Sequence, residues 1–225
     1  MVPRGHPTRA AGRWLVTTIL LVRHGETDFV GRRLAGWARG VHLNARGQEQ
    51  AGEVAKALGG LPLRAIYSSP LERALETAKP LAQHLGCPVL RRREFIEVNY
   101  GDYTGRTFAS LRRLALWKEV HRHPARVRFP GGETFIEVQQ RVARALERLC
   151  EEHPRQMVAA FAHGDVIRLG LAYSLGIPLD LFQRLTVSPA SISALEFGPR
   201  GTRLIALNHT AGSPLPAVLI APRMY

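Results

Sequence analysis

Three short stretches of this chain hold side chains able to bind an anion such as phosphate. They are Arg23-His24-Gly25-Glu26-Thr27, Ser68-Ser69-Pro70-Leu71-Glu72-Arg73 and His163-Gly164-Asp165. A neutral imidazole is a competent nucleophile, and it can carry a group covalently between two displacements. Guanidinium groups present N–H donors in a fixed fork that matches a phosphate. Taken alone, each residue has a duller reading. A histidine at a strand end is usually a structural hydrogen-bonder, Arg73 a solvated helix residue and Glu97 a surface carboxylate. Only their convergence would make a site, so the elements that carry them decide the matter.

Those elements alternate. Ile19 to Val22 is a short apolar, strand-like run that leads directly into Arg23 and His24. Ala51, Val54, Ala55 and Leu58 repeat at i, i+3, i+4 and i+7, the stripe of an amphipathic helix. Ala65 to Tyr67 is the next strand. Ser69-Pro70-Leu71-Glu72 then reads as a helix start with a capping Ser, Pro at the first helical position and Glu three residues after the cap. Gly86 ends that helix. Thr134 and Glu137 repeat the capping pattern ahead of a long helix, and Met157 to Ala162 reads as a strand covered on both faces. Val166 to Leu175 is helical, and Ser191–Phe197 with Arg203–Leu207 forms a closing strand pair.

Such alternation predicts an α/β fold, a three-layer sandwich with a mostly parallel central sheet and helices on both faces. Ligands in such sheets bind beyond the carboxyl ends of the strands. All three polar stretches follow strands, so the fold gathers them at one edge.

Length and charge bound the rest. A chain of 225 residues is most simply one domain, spanning 16–225 after an extension of residues 1–15 that reads as unstructured. A helical insert, about residues 101–132, interrupts the alternation. The net charge of +13 is almost wholly arginine, since Lys56, Lys79 and Lys118 are the only lysines. This favours an anionic partner. The arginines are scattered and not interleaved with exposed aromatics, so a small phosphorylated metabolite is expected and nucleic acid is not. No run reaches the ~18 apolar residues of a membrane span. Cys87 and Cys150 have no pairing pattern, which fits the cytoplasm. His84 lies near Cys87 without further ligands at zinc spacing, so no metal and no cofactor are expected. Oligomeric state stays open, a homodimer included.

The blocks together resemble the histidine phosphatase superfamily, which includes the phosphoglycerate mutases. The match runs through Arg23-His24-Gly25-Glu26-Thr27, Leu43–Gln48, Ser68–Ala74, Glu97–Gly105, Pro130–Thr134 and Ala162–Arg168, in the family's order. The resemblance implies that His24 attacks the phosphoryl group and carries it as a phosphohistidine. Arg23, Arg73 and His163 would surround the phosphate oxygens, and Glu97 would protonate the leaving oxygen. Val30 occupies a place where the family often has a phosphate-touching Asn, and Asn44 is the candidate replacement if its loop folds inward.

The insert is short and lacks the proline-rich run of the mutases, which favours hydrolysis over phosphomutase activity. A non-catalytic phosphoester-binding module is the remaining alternative. The insert's arginines, among them Arg112, Arg113 and Arg122, read equally well as a solvated face or as a lid for a second anionic group.

Overall fold

The computed structural model describes residues 16–210 and 213–220. The extension expected over residues 1–15 lies outside the described residues. Six strands form one sheet: β1 (Thr17–Arg23), β2 (Leu63–Ser68), β3 (Val89–Arg91), β4 (Met157–Ala162), β5 (Ile192–Gly198) and β6 (Gly201–His209). Their order is β3-β2-β4-β1-β5-β6. The first four pair in parallel, whereas β5 and β6 add on antiparallel at one edge.

Side chains alternate across β1 with period two. Leu20 and Val22 face α1 (Ala45–Leu58) and α2 (Glu72–Leu85), meeting Val54, Leu58, Ala78 and Leu81. Ile19 and Leu21 face the other way, into the cluster with Val138, Val142 and Leu146 of α5 (Phe135–Glu152). The helix α6 (Gly164–Ser174) joins that second layer through Ile167 and Leu171. The expected three-layer sandwich is the fold observed.

The segment 101–132 carries two short helices, α3 (Phe108–Leu111) and α4 (Ala115–Arg122), with two 3-10 turns. The capping box at Thr134 and Glu137 is formed in both directions. The one at Ser69 is not. Helix α2 begins at Glu72, and Leu71 stands at its cap position without a side-chain cap. The Ser69 hydroxyl accepts from the Leu71 amide at 3.3 Å but also contacts His163, so it serves the site rather than the helix end. Strand β3 had no signal in the sequence because three residues are too few to show a period. A last short helix, α7 (Ala217–Ile220), buries Leu219 beside the α1 and α2 layer.

Candidate active site

The carboxyl ends of β1, β2 and β4 lie side by side, and backbone hydrogen bonds lock their exits. The His24 amide donates to the Ala162 carbonyl, the Ala190 amide to the His24 carbonyl and the Ser69 amide to the Phe161 carbonyl. Arg23, His24, Ser69 and His163 thereby stand on adjacent strand ends. Arg73 reaches the same place from the first turn of α2.

His24 is 4% exposed, and its Nδ1 lies 2.7 Å from the carbonyl oxygen of Gly25. A carbonyl can only accept, so Nδ1 carries the proton and Nε2 keeps its lone pair. Burial, with Arg73 and then Arg23 nearby, holds the imidazole pKa well below its usual value. The ring is therefore neutral at physiological pH, with the Nε2 lone pair free.

His163 is fully buried, with its ring centroid 5.3 Å from that of His24. Its Nε2 is 2.7 Å from Ser69 Oγ, while Nδ1 sits 3.9 Å from Glu97 Oε2. Burial, then Arg73 and His24, depress its pKa as well.

Arg73 is completely buried, yet only its Nη2 is hydrogen-bonded, at 2.9 Å to the Gly36 carbonyl. Arg23 donates from Nη1 to the Val187 carbonyl at 2.7 Å. Arg23 Nε, Arg73 Nε, Arg73 Nη1 and His163 Nδ1 are buried without a partner among the described residues. Burial lowers both arginine pKa values, but guanidinium groups remain cationic in proteins. An unpaired buried donor costs ~1–3 kcal/mol, more when charged. Four of them around one histidine form a receptor for an anion.

Glu97 is 8% exposed at the same edge. Its Oε1 accepts from the Val98 amide at 3.0 Å, and its own carbonyl is held by Trp37 Nε1 and Arg141 Nη2. Burial raises the carboxyl pKa to about 7, and the negative charge of Asp165 adds to the rise against Arg73 and Arg23. Asp165 is fixed between the Tyr100 hydroxyl at 2.7 Å and Arg168 Nη1 at 2.9 Å.

Asn44 does not join this group. It caps α1, accepting from the Gly47 amide at 2.8 Å, and its amide donates to Glu26 Oε1 at 3.1 Å. Both ends of the side chain are spent on local structure, which corrects its expected phosphate contact. Val30 lines the cavity, as do Arg23, His24 and Glu97. That cavity encloses about 360 Å³. Tyr100, Asp165 and Ser69 lie inside recognisable blocks without an assigned role, and the hydrogen bonds that tie them to the site were the missing signal. Trp37 and Arg141 had no local signal at all, because they act on the Glu97 backbone from distant parts of the chain.

Comparison with known proteins places the chain in a family. Residues 19–210 match the histidine phosphatase superfamily (branch 1). The chain belongs to that superfamily. A bifunctional protein of Mycobacterium tuberculosis is 31% identical over 215 residues, covering 93% of this chain but 56% of that protein. The chain thus spans little more than half of that relative's length. Phosphoserine phosphatase 1 of Hydrogenobacter thermophilus is 30% identical over 198 residues, with 85% and 92% of the two chains covered. Among solved structures, a mycobacterial glucosyl-3-phosphoglycerate phosphatase superposes with a TM-score of 0.78 at 29% identity, over 86% of this chain and 99% of that one. Its relatives include phosphatases and phosphoglycerate mutase-like proteins. Among the described residues no three His, Cys, Asp or Glu side chains cluster to hold a metal ion, and no helix is long and apolar enough to cross a membrane.

Proposed function

We propose that the chain is a phosphomonoester hydrolase that needs no metal and works through a phosphohistidine at His24. The observation that carries this reading is the Nδ1–H bond to the Gly25 carbonyl, which frees His24 Nε2 among four unpaired buried donors. The Nε2 lone pair forms the N–P bond as the bond to the ester oxygen breaks. Protonated Glu97 gives its proton to that leaving oxygen. Ionised Glu97 then takes a proton from water, whose oxygen attacks phosphorus and breaks the N–P bond. A carboxyl pKa of about 7 suits both tasks, because neither form is rare near neutral pH.

Phosphoryl transfer depends on position and on balancing charge over the equatorial oxygens. Arg23 and Arg73 supply fixed cations for this purpose. His163 adds a neutral donor when Ser69 gives its hydroxyl proton to Nε2 and leaves hydrogen on Nδ1. Hydrolysis is favoured over mutase chemistry by the short insert, whose arginines do not line the cavity. The partner is a small phosphorylated metabolite. The free thiols of Cys87 and Cys150 accord with a reducing compartment, and we place the enzyme in the cytoplasm.

The test is hydrolysis of p-nitrophenyl phosphate in excess chelator by wild type and His24→Ala. Chelator-resistant release of phosphate that the substitution abolishes is expected. A well-folded wild type with no activity would sink the reading.

A further inference from the structure

The cavity changes character away from His24. Beyond the phosphate-binding end, its walls come from Phe29 and Leu34 after β1, from Phe108, Trp117 and Val120 of the insert, and from Phe135 at the start of α5. The insert contributes its apolar face. Trp117 and Val120 are buried, whereas Arg112, Arg113 and Arg122 are exposed on the solvent side. The insert is therefore amphipathic, with these three arginines in solvent.

Two further arginines line the cavity, and each keeps guanidinium donors beyond the bonds it makes. Arg168 donates to Asp165 at 2.9 Å and to the Leu185 carbonyl at 2.9 Å. Arg33 donates to the Gly105 carbonyl at 3.0 Å. Asp165 is in the wall as well, held by Arg168 and by the Tyr100 hydroxyl. The Gln183 amide is fixed between the Val120 carbonyl at 3.0 Å and His121 Nδ1 at 3.2 Å, leaving an aromatic and aliphatic lining beside it. At about 360 Å³ the space is at the small end of ligand pockets.

We propose that the alcohol released by this enzyme is apolar and ring-bearing. This inference rests on the phosphatase reading above. Burying an aromatic ring against Trp117 and Phe108 favours such an ester.

The test uses leaving alcohols of comparable basicity, so that binding and not leaving-group chemistry is read. Wild type is assayed with n-propyl phosphate, 3-phenylpropyl phosphate, phosphoserine and 3-phosphoglycerate. The phenylpropyl ester should exceed the propyl ester in kcat/KM by about ten-fold or more, the scale of discrimination apolar pockets achieve. Phosphoserine and 3-phosphoglycerate, which bring no ring, should fall below the phenylpropyl ester. In Trp117→Ala the phenylpropyl-to-propyl ratio should collapse toward one, chiefly through KM. Equal rates on all four esters, or preference for an acidic ester, would overturn the inference and leave the phosphatase reading standing. No turnover of these or of p-nitrophenyl phosphate would overturn both.

Discussion

The Thr77 hydroxyl accepts a hydrogen bond from the Gly25 amide at 2.9 Å while donating to the Arg73 carbonyl at 2.7 Å. One buried side chain thus ties the loop that carries His24 to the helix that carries Arg73. Gly25 also supplies the carbonyl that sets the His24 tautomer, so Thr77 positions His24 at one remove.

Thr77→Val should therefore reduce kcat more than KM, by about ten- to a hundred-fold, the scale of loss from small misplacement of reacting groups. It also leaves the buried Gly25 amide unpaired, which costs ~1–3 kcal/mol of stability. Thr77→Ser keeps the hydroxyl and should restore most of the activity. Steady-state kinetics beside a urea melt separate the two effects. Equal kcat in Val and Ser variants of equal stability would remove Thr77 from the account.

Asp165 acts on Glu97 through charge. Its carboxylate raises the Glu97 pKa, and ionised Glu97 cannot protonate the leaving oxygen. Activity should therefore fall as pH rises through about 7 on the kcat/KM profile of an ester with a poor leaving group. Asp165→Asn removes the negative charge and frees the Arg168 cation, and both changes lower the Glu97 pKa. The alkaline limb should move to lower pH. An unmoved limb, or one displaced upward, would contradict the assignment of Glu97 as the acid.

The unpaired donors of Arg23, Arg73 and His163 predict stabilisation by the product. Inorganic phosphate should raise Tm in a concentration-dependent way, reaching about 2.7 kcal/mol of added stability at a hundred times Kd. Arg73→Met deletes two of the four donors and should lose most of that shift. A shift retained in full by Arg73→Met would locate the anion elsewhere.

Much of this was legible before the coordinates. The strands, the long helices and the edge where His24, Arg73 and His163 meet follow from periodicity and from the rule that α/β sites lie at strand ends. What sequence could not give was competition for a side chain. Ser69 looks like a helix cap but is drawn to His163. Asn44 looks free for phosphate but is held by Gly47 and Glu26. The insert's arginines are spaced as a lid could be, yet its apolar face turns inward because Trp117 and Val120 pack into the core cluster with Tyr103 and Phe129. Each of these depends on a partner distant in sequence.

The central claim is the covalent intermediate at His24. Wild type should be mixed with saturating p-nitrophenyl phosphate, quenched in alkali within milliseconds and digested for mass spectrometry. The account predicts an acid-labile, alkali-stable phosphoryl group on the peptide containing His24, with its formation rate matching the burst of p-nitrophenol. Turnover that persists in His24→Ala, or a phosphoryl group carried by any other residue, would contradict it.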